Sequence, residues 1–412
     1  MKPWLTIVGI GEDGPDGLSR AAREALASAR TLVGGERHLA LVEDNGARRI
    51  AWASPIAGTI EEICAARPRP VCVLATGDPM WFGIGGAFAR HVPAGEMRVL
   101  PAPSAWSLAA ARLGWPLDEV TPVSLHGRPG AAIERFIHPG ARLMVLSEDG
   151  RTPGVLAARL TARGMGPSQM TVLEHLGGPR EQVRTVAAEA FDLADVAALN
   201  MVAIDCHAGA DPVIRAPVPG LADDAFSHDG QLTKREVRAV TLARLMPLPG
   251  ALLWDIGAGS GSIAIEWMRA APWARAIAIE QRAERAATIA RNAEALGVPD
   301  LRIVEGVAPG ALHALAVPDA VFIGGGIGGA GGEQTVRHAL DTLAPGGRLV
   351  ANAVTLAGEA ALAALQARHG GELARIAVAH AGPVGAHLGW RTLMPVTQWA
   401  WQKAWGRRGA AP

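Results

Sequence analysis

The chain has 412 residues, 49% of them hydrophobic, which is enough for two or three domains with separate cores. Its 39 basic and 39 acidic residues cancel, and no long basic run occurs, so neither the charge balance nor its distribution suggests a nucleic-acid partner. No apolar stretch approaches membrane-spanning length, and a soluble, cytoplasmic protein is expected. The opening MKPWLTIVGIGEDG runs from a short apolar segment straight into glycines and acids, which predicts a first strand rather than a signal peptide. Cys64, Cys72 and Cys206 have no metal-ligand or redox spacing, so no metal is expected and the thiols read as buried and reduced. The only lysines are Lys2, Lys234 and Lys403. Together with the many Ala and Gly, the arginine excess reads as the composition of a GC-rich gene. A carboxylate-binding role is kept for particular arginines.

Taken in chain order, short apolar runs alternate with helical patterns: WLTIVGIG, LSRAAREALASA, TLVGG, then PVCVLAT and RLMVLSE. That alternation predicts an α/β architecture with largely parallel sheets. The stretch DPVIRAPVPGLADD carries three prolines and no periodic pattern crosses it. A linker is therefore expected at 211–224, with the boundary near residue 216, between domains at 1–210 and 225–412. In the second half strands are expected at 251–256, 275–280, 301–305, 319–324, 348–354 and 373–380, with a last one around 391–399. Helices fill the gaps, which predicts a seven-stranded, Rossmann-like, doubly wound sheet.

Two glycine-rich turns carry the chemistry. In LLWDIGAGSGSIAIEW the glycines fall at Gly257, Gly259 and Gly261, with Ala258 and Ser260 between them, directly after a strand and before a helix. Such an elbow offers backbone N–H groups to a nucleotide-like ligand. A dinucleotide turn is G-x-G-x-x-G, and here Ser262 takes the third glycine's place. Asp255 ends the strand, where a carboxylate repels a pyrophosphate but attracts the ammonium and sulfonium of S-adenosylmethionine. Glu280, at the end of the next strand, suits ribose hydroxyls for either ligand. Spacing and charge favour the methyl donor. Upstream, Gly9, Gly11 and Gly14 do match G-x-G-x-x-G, but Glu12 and Asp13 occupy the turn where a pyrophosphate would lie. This match reads as false, and a nicotinamide-dependent oxidoreductase using Gly9–Gly14 remains the rival from another class.

The residues around both turns resemble known families. LTKREVRAVTLARL, LLWDIGAGSGSIAIEW, VEGVAPGAL and DAVFIGGGIGG, across most of 219–360, resemble the decarboxylating precorrin methyltransferases of cobalamin biosynthesis. That resemblance implies that Thr233, Gly257 to Gly261, Glu280 and Ala308 line an S-adenosylmethionine site. Val307 stands where the family tends to have an acid, which leaves the backbone at Ala308 to meet the adenine. TGDPMWFGIGG, PAPSAWSLAAARLGWPLDEV, VSLHGRP and LNMVAID, over about 4–206, resemble the tetrapyrrole methylases, in their C5-methylating branch. This implies a two-lobed α/β fold in which Gly77, Asp78, Pro79, Ser104 and Ala105 contact a second donor. Asp78 can equally close an Asx turn that caps the following helix. His126 and Arg128, in a loop, suit carboxylate recognition or a structural role. Lys234 and Arg235 have the same two readings, the plain one being a solvated helix start.

Together the resemblances imply two methylations of a precorrin-6, at bridge carbons 5 and 15, with loss of the ring C acetate carboxyl to give precorrin-8. One S-adenosylmethionine per domain is expected, with C5 methylation in the first domain and C15 methylation and decarboxylation in the second. A fusion with only one active methyltransferase domain is a further alternative. No triad is visible and no general base is assigned. The expected partner is the tetrapyrrole alone, with no nucleic acid and no membrane, in a homo-oligomer.

Overall fold

The runs LTIVGI and VCVLAT are buried almost along their whole length, which suits central strands of a sheet covered by helices on both sides. The computed structural model describes residues 3–405, and the chain divides into two compact units. Unit 1 comprises 1–130 with 136–214, and unit 2 comprises 131–135 with 215–412.

Unit 1 has two lobes. Its first sheet holds β1 (Leu5–Ile10), β2 (Thr31–Gly34), β3 (Arg48–Ala51), β4 (Val71–Thr76) and β5 (Met97–Leu100) in the order β3-β2-β4-β1-β5. Every pairing is parallel. The central strands carry the core: Leu5, Ile7, Val8, Ile10, Val73 and Leu74 are fully buried. The second sheet holds β6 (Thr121–Ser124), β7 (Arg142–Leu146), β8 (Gln169–Glu174), β9 (Gln182–Ala187) and β10 (Asn200–Asp205) in the order β6-β7-β10-β8-β9. Here the expectation of largely parallel sheets fails: β6 and β7 are parallel, and the other three pairings are antiparallel. The connection from β8 to β9 is too short to hold a crossover helix, so the two strands form a hairpin. The three cysteines are free, and burial pushes the thiols of Cys72 and Cys206 up to about 12.

Unit 2 is built on one seven-stranded sheet. Its strands are β11 (Leu252–Ile256), β12 (Arg275–Glu280), β13 (Arg302–Glu305), β14 (Ala320–Ile323), β15 (Arg348–Ala353), β16 (Glu372–Ile376) and β19 (Val396–Gln402). The order is β13-β12-β11-β14-β15-β19-β16. The first five are parallel, and β19 runs antiparallel between β15 and β16. β11 is buried along its whole length, as a central strand must be. The sequence reading missed a hairpin, β17 (Ala379–Val384) with β18 (His387–Thr392), and placed the last strand several residues early. Gly382, Pro383, Gly385 and Gly389 interrupt its pattern, and with almost every residue exposed neither face has an apolar signature.

The proline-rich segment belongs partly to each unit. The Val213 N–H donates to the Arg163 carbonyl at 2.9 Å within unit 1. The Gly220 and Leu221 N–H groups donate to the Glu266 carboxylate at 2.6 and 3.0 Å within unit 2. Among the described residues no helix is long and apolar enough to cross a membrane.

Candidate active sites

In unit 2 the chain leaves β11 through Gly257, Ala258, Gly259, Ser260 and Gly261 and enters the helix Ser262–Ala270. Gly257 and Gly259 have φ of +71° and +60°, a backbone that side-chain-bearing residues rarely adopt. The Gly257 and Ala258 N–H groups both donate to the Ile279 carbonyl, at 2.9 and 3.1 Å, which pins the elbow to β12. Glu280 closes it: one carboxylate oxygen accepts from the Gly259 N–H at 2.9 Å and the other from the Arg282 N–H at 3.0 Å. Each oxygen keeps a lone pair for a further donor.

Gly257, Ala258, Gly259 and Glu280 line a cleft of about 940 Å³, together with Thr233, Lys234, Ser260, Gln281, Val307 and Ala308. A second glycine loop, 324–331, forms another side, ahead of the helix Gly332–Thr342. The rim at Thr233 is held from beneath by Arg238. This fully buried guanidinium donates to the Thr233 carbonyl at 2.6 Å and to Glu266 at 2.6 Å, contacts Asp223 at 3.2 Å, and lies 4.8 Å from the Phe226 ring centre.

Three expected site residues of unit 2 are placed otherwise. Asp255 does not line the cleft: it lies beneath the elbow, 1% exposed, with one carboxylate oxygen accepting from the Ala264 N–H at 3.0 Å and the other unpartnered. Burial, with a smaller contribution from the negative charge of Glu280, pushes its carboxyl up to about 7. Gly261 also stands outside the lining, and a Cβ there would come within 2.8 Å of Ile289, so this glycine serves helix packing. Arg235 is exposed and outside the cleft, whereas Lys234 lines it, with its ammonium 3.6 Å from Asp223.

In unit 1 the end of β1 and the loops after β4 and β5 interlock. A Cβ on Gly9 would sit 1.9 Å from the Gly77 carbonyl oxygen, and one on Gly77 would sit 2.9 Å from that of Pro103. Pro79 is buried beside them. Asp78 accepts from the Met80 N–H at 2.8 Å, which is the Asx turn. Ser104 caps the helix Ala105–Leu113 by accepting from the Ser107 N–H at 3.1 Å, and Ala105 opens that helix. Met80, Trp81 and Phe82, which the sequence reading passed over, are about half exposed, and Phe82 stacks on Trp106 with ring centres 5.1 Å apart.

The G-x-G-x-x-G turn is filled by its own chain. Glu12 bonds Arg37 and His175, the latter at 2.9 Å, and the Asp13 carboxylate crowds Gly11 and Gly17. Two carboxylates therefore stand in the turn, where they would repel a pyrophosphate. His126 and Arg128 sit on an exposed turn after β6, His126 at 3.3 Å from Glu148. No hydrogen bond or ion pair among the described residues joins either to Gly77–Pro79 or to Ser104. Gln281, the 324–331 loop and Asn352 went unread as cleft residues. All follow the carboxyl ends of parallel strands or stand close to them, where ligands of α/β sheets gather, and that rule was the available signal.

Fold and cleft together define a class: a methyltransferase built from two α/β units, with S-adenosylmethionine as its methyl donor. Residues 4–192 match the tetrapyrrole (corrin/porphyrin) methylases, and residues 224–403 match the precorrin methyltransferase domain. A precorrin-6Y C(5,15)-methyltransferase [decarboxylating] from a Sinorhizobium species is 51% identical over 98% of this chain and 97% of its own length. A cobalt-precorrin-7 C(5)-methyltransferase from Salmonella typhimurium is 32% identical over 46% of this chain and 92% of its own. A probable cobalt-precorrin-6B C(15)-methyltransferase (decarboxylating) from Pyrobaculum calidifontis is 38% identical over 26% of this chain and 57% of its own. The chain belongs to the family of decarboxylating precorrin-6Y C5,15-methyltransferases.

Proposed function

We propose that the two units divide one biosynthetic task, each with its own S-adenosylmethionine. The chain is an enzyme of cobalamin biosynthesis that methylates a precorrin-6 at carbons 5 and 15 and removes the ring C acetate carboxyl. Unit 1 methylates carbon 5 and unit 2 methylates carbon 15 and decarboxylates. In support, relatives named for the single C5 and C15 activities each align with only part of the chain.

The unit 2 cleft carries the reading. Its residues fit the donor: glycines at positive φ let the backbone approach, the unpartnered Ser260 hydroxyl has hydrogen-bonding capacity to spare, and Glu280 has lone pairs for two ribose hydroxyls. Val307 and Ala308 offer a wall for the adenine. The bound donor supplies an electrophilic methyl group. The protein has to hold it in line with a bridge carbon that conjugation with ring nitrogens already makes nucleophilic, so catalysis is mainly positioning. At about 940 Å³ the cleft has room to bring part of a second molecule against the donor. In unit 1, Gly77–Pro79 and the helix start at Ser104–Ala105 hold the other donor in this reading. His126 and Arg128 meet the substrate's carboxylates, whereas Lys234 already faces Asp223 at 3.6 Å and has no such part in this reading.

Glu280→Ala in the full chain tests the division. It removes a hydrogen bond to the ribose, which costs about 1–3 kcal/mol of donor binding at unit 2. By mass, C15 methylation and carbon dioxide release should fall together while C5 methylation persists. Loss of C5 methylation instead would reverse the assignment.

A further inference from the structure

A set of buried polar groups meets the unit 2 cleft at Asn352. This residue, in β15, lines the cleft and is 7% exposed, while Thr241, on the helix Arg235–Leu245, and Gln398, in β19, are fully buried. Asn352 and Gln398 are opposite each other in the β15–β19 register. The Thr241 hydroxyl donates its proton to the Val237 carbonyl at 2.8 Å, so toward the amides it can only accept. The Asn352 Nδ2 donates to it at 3.2 Å and the Gln398 Nε2 at 2.9 Å. Gln398 also donates to the Asn352 Oδ1 at 2.8 Å. The Asn352 amide is thereby fixed: its oxygen is engaged, one N–H is engaged, and one N–H is left over. The arrangement has a cost, because the Gln398 Oε1 is buried without a partner. Folding alone would favour apolar side chains at these positions.

The surroundings indicate what the spare N–H is for. Ile256, Phe322, Ile323, Ile376 and Leu393 line the same cleft. Its charged lining residues are Lys234, Glu280 and Arg285, and both cations already face carboxylates, at 3.6 Å from Asp223 and 2.8 Å from Asp229. A carboxylate in this cleft therefore meets a neutral donor in an apolar wall. That is a favourable setting for decarboxylation. A paired cation would stabilise the carboxylate and resist its loss, whereas one neutral hydrogen bond holds its direction at little cost to the transition state.

We propose that Asn352, positioned by Thr241 and Gln398, donates its free N–H to the ring C acetate carboxylate and orients it for loss as carbon dioxide. The bond between the acetate methylene and the carboxyl carbon breaks, and its electron pair passes into the protonated conjugated ring. A proton from water then converts the methylene into a methyl group. The proposal rests on the reading that unit 2 performs the decarboxylation.

The test uses the full chain with precorrin-6 and donor under anaerobic conditions, and reads by mass the ratio of decarboxylated to carboxyl-retaining C15-methylated product. Asn352→Leu should lower that ratio about tenfold, the loss of one hydrogen bond to a charged group, with donor affinity unchanged. Asn352→Asp, the same size but placing a second carboxylate against the first, should lower it as well. Thr241→Val should shift the ratio in the same direction, and Thr241→Ser, which keeps the hydroxyl, should restore it. A lowered melting temperature with an unchanged ratio, or equal loss of methyl transfer and carbon dioxide, would overturn the proposal. Glu280→Ala separates the two failures: loss of C5 methylation there defeats the unit assignment and this inference with it. A normal Glu280→Ala result with an unchanged Asn352→Leu ratio defeats the inference alone.

Discussion

Replacing Asp255 by asparagine tests how the donor cradle of unit 2 is charged. The carboxyl is buried, holds the Ala264 N–H with one oxygen and leaves the other unpartnered, and burial raises it from 3.8 to about 7. Below about pH 4 both folded and unfolded chains hold the proton, and stability is unaffected. Between about pH 4 and 7 the unfolded chain releases it while the folded chain keeps it, so stability falls as pH rises. Above about 7 the full penalty applies. A rise of about three in pKa, at about 1.4 kcal/mol each, sets it on the order of 4 kcal/mol. The substituted amide has no proton to lose, so Asp255→Asn should gain on the wild type, approaching that order as pH rises from 5 to 8, in thermal or urea unfolding of unit 2. Donor binding adds a second signature. A cationic donor favours the ionised carboxyl, so wild-type affinity should climb with pH, by at most about tenfold per pH unit, and flatten above about 7. Calorimetric titration of both proteins subtracts the donor's own titration. Identical pH dependence in the two would show that Asp255 neither carries a raised pKa nor senses the donor.

Gly261→Ala would push a Cβ to 2.8 Å from Ile289 at a φ of +78°, and a loss of about 1–3 kcal/mol is expected, visible as a lower melting temperature; an unchanged one would refute the packing role. Arg238→Leu leaves the buried Glu266 carboxylate with only the Gly220 and Leu221 N–H groups and should cost about 3–5 kcal/mol, visible as a lower melting temperature; an unchanged one would refute the role of the pair. Arg128→Lys should weaken substrate binding more than donor binding, since the planar fork is lost, and equal weakening with a lower melting temperature would make Arg128 structural.

Some of this molecule is written locally and some is not. The run from Leu252 to Gly261 reads directly, because a fully buried strand and a tight elbow each require particular residues at adjacent positions. The same rule gives Glu280, at the end of the neighbouring strand. The purpose of Asp255 and Gly261 does not follow from the motif: one is turned toward Ala264 and the other is crowded by Ile289, a residue from the next helix. Asn352 is a single amide in an apolar run, and its meaning comes from Thr241, 111 positions away, and Gln398, 46 away. The hairpin β17–β18 escapes because it buries neither face, so no alternation distinguishes it from a loop. The mostly antiparallel second sheet of unit 1 escapes because strand direction depends on how the chain returns.

The interlock of Gly9, Gly77 and Pro103 bears on how this enzyme can change. The obstacle to any side chain at Gly9 is the Gly77 carbonyl oxygen, with the Ala102 nitrogen next at 2.6 Å, and both are main chain. A crowded side chain can be relieved by trimming its neighbour, but main chain is common to every amino acid, so no second-site substitution at 77 or 102 offers relief. Laboratory evolution of the first unit would therefore leave this knot as a fixed point. Variation would be confined to residues such as Met80, Trp81 and Phe82, whose side chains leave the same loops and meet solvent.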